Sequence, residues 1–364
     1  MPRQYVVDAD GHVMEPMDLW PKYLEAKFVP DAPRYVTDNR GRQRRMMEGK
    51  LIPMIEAMRP NPMAHTPRAG GYDPRARLKD MDSEGMDSAV LFPSMGLHFG
   101  SIQRLDLLAA MCRAENNWMR DYAAVKPERL IGIATLPQAD IGEMLIEARR
   151  SVEELGFRGV FLRPNPIGGR TLDNPYFEPL WSLLEELKVP LCIHEGTTQN
   201  VPQAGLKRYD NFLFRHVVSH AHEEQMACME IICGGVLERH PKLTVIFLES
   251  GCGWIAHWLE RLDHHAKYWG YTSVELSKPP SEYFARQCYI SADPDEKIIP
   301  GIIEAIGDDT LLFASDYPHG DGIFPGVVAE LADRTDISEK SKAKIFAKNP
   351  AKAFGLKTPA ASRR

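Results

Sequence analysis

The sequence has no long hydrophobic run, no closely paired cysteines and no excess of positive charge. No stretch of about 18 consecutive apolar residues occurs, the length that a membrane-spanning helix needs, and the first residues lack a signal-peptide pattern. The 44 Lys and Arg are outnumbered by 50 Asp and Glu, which gives a net charge of −6 and excludes a strongly basic nucleic-acid-binding protein. The six cysteines include no CxxC pair, so neither a disulfide framework nor a zinc–thiolate site is expected. We therefore expect a cytoplasmic protein with reduced cysteines and with no nucleic-acid or membrane partner.

Short apolar runs typical of β-strands alternate with longer segments of helical period along the whole chain. Strands are predicted at residues 5–10, 88–94, 130–137, 157–164, 190–195, 243–250, 288–293 and 310–316. Helices are predicted at 75–84, 106–125, 141–155, 179–187, 216–239, 254–268, 296–306 and 338–354. Eight successive strand–helix units are the order of an α/β fold of the (β/α)8 TIM-barrel type, for which about 250 residues is typical. An open, doubly wound sheet is the alternative, but no GxGxxG sequence follows the first strand.

The surplus length lies mainly in residues 11–71, which are rich in Pro, Met and Arg and show little periodicity. We expect this insertion to cap the carboxyl ends of the barrel strands as a lid. Residues 1–357 are expected to form a single catalytic domain, and residues 358–364 a flexible tail.

Polar residues are concentrated where the predicted strands end, which is where a barrel places its chemistry. The first strand runs into Asp10 and His12, the fifth into His194, the sixth into Glu249 and the eighth into Asp316. Alternate residues of a strand point to the same side, so Asp10 and His12 can both face the barrel mouth. Any one of these residues alone is readily explained by a hydrogen bond. Together they predict a metal site, because imidazoles and carboxylates are costly to bury side by side unless a cation compensates them.

Five stretches carry a resemblance to a known family. They are VDADGHVMEP from residue 7, LCIHEG from 191, GGVLERHPKL from 234, FLESGCGW from 247 and FASDYPH from 313. In these stretches, which span nearly the whole chain, the sequence resembles the amidohydrolase-related family of metal-dependent hydrolases and non-oxidative decarboxylases.

This resemblance implies one divalent metal held by Asp10, His12, His194 and Asp316. In decarboxylating members a histidine ends the sixth strand and works as base or acid beside the metal, whereas this chain has Glu249 there. A carboxylate adds negative charge and can bridge two cations, so the site suits zinc, manganese or iron, as one ion or two. The fourth strand supplies no lysine for the bridge found elsewhere in the superfamily, so any bridging group must be Glu249 or solvent.

The helix after the fifth strand adds three histidines, His216, His220 and His222, of which the first two share a helix face. We interpret His220 as a further metal ligand or as a proton-transfer group working with Glu249. A solvated helix start is the alternative interpretation, especially for His216 and His222.

Two more residues have a positional argument. Arg163 ends the fourth strand and is expected to bind a substrate carboxylate through its planar guanidinium. An ion pair of Arg163 with Glu195 or Glu249 is the equally open alternative. His319, three residues after Asp316, is expected to orient a metal ligand.

Three functions remain open. The first is hydrolysis or non-oxidative decarboxylation of a small, carboxylate-bearing substrate, with Glu249 and His220 as catalytic groups. The second is a dinuclear iron oxygenase acting on an apolar substrate, suggested by the carboxylates and by eight methionines: Met46, Met47, Met54, Met58, Met63, Met81, Met86 and Met95. The third is a barrel that only binds its ligand. A small-molecule substrate and a homodimer are the expected partners.

Overall fold

The computed structural model describes residues 4–51, 68–197 and 201–357. The strands are β1 (Val7–His12), β2 (Arg34–Thr37), β3 (Gln43–Met47), β4 (Lys50–Leu51), β5 (Ser88–Phe92), β6 (Leu130–Gly132), β7 (Ala134–Thr135), β8 (Val160–Leu162), β9 (Leu191–His194), β10 (Val245–Leu248), β11 (Cys288–Ala292) and β12 (Leu311–Phe313). The α-helices are α1 (Leu19–Tyr23), α2 (Pro74–Glu84), α3 (Leu105–Ala123), α4 (Ile141–Glu153), α5 (Glu178–Leu187), α6 (Phe212–Cys233), α7 (Val236–Arg239), α8 (Ile255–Trp269), α9 (Pro280–Gln287), α10 (Ile299–Ile306), α11 (Val327–Ala332), α12 (Glu339–Ala343) and α13 (Asn349–Ala353).

Parallel strands form the centre of the molecule. One sheet has the order β1-β5-β6 and the other the order β12-β11-β10-β9-β8-β7. Since only Ile133 separates β6 from β7, these two are pieces of one strand, which gives eight barrel strands. The remaining edge strands of the two sheets are β1 and β12. The N–H of Asp316, which follows β12, donates to the carbonyl of Asp10 in β1 at 2.9 Å and joins the two edges. This is the strand order of the expected (β/α)8 barrel.

Two apolar clusters hold the strands in place. Alternate strand residues such as Val7, Ala9, Val90 and Phe161 fill the barrel interior. The residues between them pack outward against the surrounding helices. In β1 the pairing register shifts between Asp8 and Gly11. Such a shift re-aims the side chains that follow it, and it sets Asp10 and His12 at the mouth of the barrel.

The insertion contains structure that the sequence pattern does not predict. Strands β2, β3 and β4 form an antiparallel sheet in which Tyr35 and Arg45 are cross-strand partners. Residues 52–67 of the predicted cap, with Met54, Met58 and Met63, lie outside the described residues, as does the predicted tail 358–364. The cap therefore stays a prediction for the whole of residues 11–71.

The helix predicted over residues 216–239 is wrong in its bounds, since it begins earlier and is split in two. The Asn211 side chain accepts a hydrogen bond from the Phe214 N–H at 3.3 Å and caps the start of α6. Gly235, with a φ of 78°, separates α6 from α7, because this left-handed conformation favours glycine.

Two expectations from composition can be compared with the structure. Among the described helices none is both long enough and apolar enough to span a bilayer. The six cysteines are all unpaired, and five of them are buried as expected, whereas Cys233 is only partly buried.

Candidate metal centre

Three strand ends bring four of the predicted ligands together. Asp10 and His12 end β1, His194 ends β9, and Asp316 follows β12. The side chains of Asp10, His12 and His194 are at most 1% exposed, and that of Asp316 is 14% exposed. Nε2 of His194 lies 3.2 Å from Oδ1 of Asp10, and Nε2 of His12 lies 3.6 Å from Oδ1 of Asp316. Asp10, His12 and His194 therefore converge on one point of the barrel mouth, and Asp316 lies beside it in a group of potential ligands with His12, Glu249 and His319.

The hydrogen bonds of the two imidazoles define which ring nitrogen faces this point. Nδ1 of His12 donates to the Pro93 carbonyl at 2.9 Å, and Nδ1 of His194 donates to the Glu195 carbonyl at 2.7 Å. In the neutral rings Nε2 then carries the lone pair, and the two Nε2 atoms are 3.0 Å apart. Facing lone pairs and carboxylate oxygens repel one another unless a proton or a cation lies between them. A hydrogen bond from the other ring nitrogen to a carbonyl is also the usual orientation of a metal-binding histidine.

The closeness of these side chains also shifts the pKa values of Asp10 and His194 in the metal-free protein. Burial alone would raise the pKa of Asp10, but the neighbouring His194 and His12 outweigh it and lower the pKa to about 2. Burial alone would lower the pKa of His194, but the Asp10 carboxylate outweighs it and raises the pKa to about 9. A cation entering here must therefore displace a proton from His194. Two imidazole nitrogens and two carboxylate oxygens are a donor set that suits manganese, iron or zinc.

Glu249 follows β10 and lies between these ligands and helix α6. Its Oε2 is 3.4 Å from Nδ1 of His194, and its Oε1 is 3.2 Å from Nε2 of His220. The backbone of Glu249 has a φ of 47°, and that of Asp316 has a φ of 52°. A non-glycine residue in this left-handed region costs roughly 1–3 kcal/mol and is typical of functional sites. The structure thus brings the predicted Glu249 and His220 together at the mouth.

Arg163 occupies a different place from the one expected for a substrate-binding residue. Its side chain is 2% exposed, and it forms an ion pair with Glu195 at 2.7 Å. The guanidinium also donates to Asn165, to the Leu97 carbonyl and to the Gly196 carbonyl. The alternative interpretation, a buried ion pair with Glu195, accounts for these contacts, and substrate binding by Arg163 gains no support from them.

His319 is held between a ligand and a serine. Its Nδ1 lies 2.7 Å from Oδ1 of Asp316, and its Nε2 lies 2.8 Å from Oγ of Ser94. Because the Ser94 hydroxyl donates its single proton to the Val13 carbonyl at 2.6 Å, it can only accept from His319. Both ring nitrogens of His319 therefore donate. Burial alone would lower the pKa of His319, but the Asp316 carboxylate outweighs it and raises the pKa to about 10.

A cavity with two lobes opens from the metal centre. The hairpin lobe, of about 320 Å³, lies under the β2–β3 hairpin and is lined by Tyr35, Arg45, His98 and His319 among others. The acidic lobe, of about 400 Å³, lies beside α6 and includes six acidic residues: Glu249, Asp293, Asp295, Glu296, Asp316 and Asp321. His216, His220, Glu249 and Asp321 line both lobes. Of the predicted ligands, Asp316, Glu249 and His220 therefore line the cavity.

Sequence reasoning missed several of these lining residues. Asp293 directly follows β11, so the strand-end rule that found His194 would have found it as well. Arg45 and Tyr35 had no such signal, because their hairpin lies in the aperiodic insertion. Burial lowers the pKa of His98 to about 3, with a further contribution from the charge of Arg45. His98 is thus a neutral group that can donate or accept a hydrogen bond in the hairpin lobe.

The chain is similar to known proteins in family, sequence and structure. A family model described as "Amidohydrolase" matches residues 7–356. The gamma-resorcylate decarboxylase of Rhizobium radiobacter is 27% identical over 296 residues, which cover 74% of this chain and 86% of that protein. An amidohydrolase from Mycobacterium avium subsp. paratuberculosis has a TM-score of 0.79 at 22% identity and covers 98% of this chain and 100% of its own. A dihydroxybenzoic acid decarboxylase from Polaromonas, with bound manganese and the inhibitor 2-nitroresorcinol, has a TM-score of 0.69 at 20% identity and covers 97% and 98%.

The two structural neighbours bear on the fold alone at these identities, and they confirm the predicted TIM barrel. None of the three named proteins is an oxygenase, so the hypothesis of a dinuclear iron oxygenase gains no support.

Proposed function

The chain belongs to the amidohydrolase family, and on that premise we propose that it is a divalent-metal-dependent carboxy-lyase that removes the carboxyl group of a small hydroxylated aromatic acid. The family membership confirms the resemblance seen in the sequence. The substrate class is suggested by the gamma-resorcylate decarboxylase, which the chain matches over most of its length. Manganese is the preferred candidate for the ion, because the dihydroxybenzoic acid decarboxylase of the same fold contains it.

The observation that carries this proposal is the convergence of Nε2 of His12, Nε2 of His194 and Oδ1 of Asp10, which lie 3.0–3.5 Å apart, with Oδ1 of Asp316 3.6 Å from Nε2 of His12. These four residues would hold the ion. A divalent ion at this place supplies Lewis acidity, which polarises a substrate oxygen and offsets the negative charge that develops during the reaction. The remaining requirements of the reaction fall to residues of the hairpin lobe.

Substrate binding is the first of these requirements. Arg45 is exposed at the hairpin lobe and carries a permanent positive charge, so it suits the carboxylate or phenolate of an aromatic acid. Met14, Met17, Met95 and Leu97 line the same lobe and offer apolar contact to a ring. Neutral His98 can hydrogen-bond a ring hydroxyl. The lobe therefore combines an apolar wall with a few polar groups, as small-molecule sites do.

Proton delivery is the second requirement. When the bond between the ring carbon and the carboxyl carbon breaks, the carboxyl group leaves as CO₂, and the electron pair left on the ring carbon takes up a proton. His319 lines the hairpin lobe and has an N–H on each ring nitrogen, so we assign it the role of proton donor. The reaction consumes no oxidant or reductant.

The test is a decarboxylation assay on metal-free and manganese-loaded protein with 2,6-dihydroxybenzoate and related hydroxybenzoates. We expect CO₂ release only from the loaded protein, with turnover lost in His319→Gln while metal content is retained. His222→Ala is the matched control, because His222 is exposed on α6 and its Nδ1 contacts only the Val218 carbonyl among the bonds described. CO₂ release that is equal with and without metal would refute the proposal.

The expected cytoplasmic location, the homodimer and the single capped catalytic domain remain proposals. Tyr35 and Arg45 of the insertion line the cavity, which supports a cap over the barrel mouth.

A further inference from the structure

A second cluster of metal-binding side chains lies beside the four residues assigned above. His216 and His220 are one helical turn apart on α6, and their rings stack with centroids 4.2 Å apart. Each of His216, His220 and Glu249 offers one ligand atom, and these three atoms lie within 4.8 Å of one another. His220 and Glu249 are largely buried, at 8% and 17% side-chain exposure. The cluster therefore has the residue types and the spacing of a cation site.

The orientation of His220 argues for a ligand rather than a surface histidine. Its Nδ1 lies 3.2 Å from the Ser219 hydroxyl and 3.1 Å from the His216 carbonyl, which can only accept, so Nδ1 carries the proton when it bonds along the helix. In the neutral ring Nε2 then carries the lone pair, and this atom faces Oε1 of Glu249 at 3.2 Å. As at His12 and His194, a lone pair facing a carboxylate oxygen requires a proton or a cation between them.

Glu249 is positioned between the two groups of ligands. Its Oε1 lies 3.2 Å from Nε2 of His220, and a ligand atom of Glu249 also lies within 4.8 Å of ligand atoms of His12 and Asp316. Oε2 of Glu249 is buried and has no hydrogen-bond partner within the described parts of the chain. Its left-handed backbone, with a φ of 47°, is a further sign of a residue held in place for a function.

The negative charge of the acidic lobe also favours the binding of a cation. The lobe is lined by six acidic residues against two histidines.

We propose that His216, His220 and Glu249 bind a second divalent cation, with Glu249 contributing an oxygen to each of two adjacent ions. Two imidazoles and a carboxylate suit manganese, iron or zinc. This proposal goes beyond the proposed function, because removal of a carboxyl group requires only the ion at Asp10, His12, His194 and Asp316. A protonated His220 paired with Glu249 is the competing arrangement.

Metal stoichiometry separates the two arrangements. The protein is stripped with a chelator, reloaded with Mn²⁺, freed of unbound ion by gel filtration and analysed for manganese per chain. We expect two equivalents in the wild type, one in His220→Ala, one in Glu249→Gln and two in the His222→Ala control. The wild type is also expected to show the broadened electron paramagnetic resonance spectrum of two coupled Mn²⁺ ions, and His220→Ala the spectrum of an isolated ion.

Each outcome decides the proposal independently of the decarboxylation assay. One equivalent in the wild type would overturn it, and so would two equivalents in His220→Ala or the loss of both ions from that variant. Circular dichroism checks the fold of each variant, and the nearly isosteric Glu249→Gln replaces His220→Ala if the latter does not fold. A protein with two ions but no decarboxylase activity would uphold this inference and refute the proposed function.

Discussion

Gly11 lies between the ligands Asp10 and His12. We predict that Gly11→Ala displaces the buried side chains that pack against it and thereby disrupts the metal centre. A Cβ at this position would overlap Nη2 of Arg77 and would lie 2.8 Å from Oδ2 of Asp8. Arg77 cannot easily move away, because it is 1% exposed and donates to the His12 carbonyl at 2.9 Å. It also stacks on Tyr317, with its guanidinium carbon 4.3 Å from the ring centroid.

The magnitude follows from the pair that the methyl group would separate. Nη2 of Arg77 is 3.7 Å from Oδ2 of Asp8, and Asp8 in turn accepts from the Ser315 N–H at 3.0 Å and from its hydroxyl at 2.6 Å. Arg77 and Asp8 thereby tie the end of β1 to the segment that carries Asp316. Separating a buried ion pair costs about 3–5 kcal/mol, so we expect a loss of that order in the free energy of unfolding.

Urea unfolding of the metal-free protein measures the free energy of unfolding. A separate titration of the folded, metal-free protein with Mn²⁺ measures the affinity for the ion. Gly142→Ala is the control, because a Cβ there meets only Oδ1 of Asp140, at 3.4 Å. Alanine is favoured over glycine in a helix by about 1 kcal/mol, so this control should be neutral or slightly stabilising. A Gly11→Ala protein that loses less than about 1 kcal/mol and binds Mn²⁺ like the wild type would refute the reasoning.

Three further predictions concern the cavity and its ligands. Arg45→Ala should raise KM for a hydroxybenzoate by roughly tenfold, the equivalent of about 1.4 kcal/mol, with little change in kcat, and steady-state kinetics will show whether kcat falls instead. Since the pKa of His194 is about 9 without metal, the affinity for Mn²⁺ should rise with pH up to that value as one proton is displaced, and a pH-independent affinity would contradict this. Arg163→Met should lower the free energy of unfolding by about 3–5 kcal/mol because Glu195 loses its buried partner, whereas unchanged stability with a higher KM would restore a substrate-binding role.

The sequence was most informative where one physical rule sufficed. Parallel strands of a barrel end at a common face, so polar residues at the strand ends had to meet there. This rule located Asp10, His12, His194, Glu249 and Asp316 without knowledge of any distance. Asp293, which directly follows β11, the seventh barrel strand, obeys the same rule although it is not among the predicted residues.

The rest depended on side-chain contacts that no periodicity encodes. Arg163 stands at a strand end like the ligands, but Glu195 and the Leu97 carbonyl engage its guanidinium. Arg77 belongs to α2, whose sequence is mostly polar, yet its side chain is buried against the end of β1. The antiparallel hairpin that carries Arg45 has neither the apolar alternation nor the length of the barrel strands, so its place over the cavity could not be predicted.

The most direct test of the account is a crystal of zinc-loaded protein measured on both sides of the zinc absorption edge. We expect an anomalous peak between Nε2 of His12, Nε2 of His194 and the carboxylates of Asp10 and Asp316, at about 2.0–2.2 Å from the ligand atoms. Zinc bound elsewhere, with no peak at that point in protein that holds at least one equivalent of metal, would contradict it.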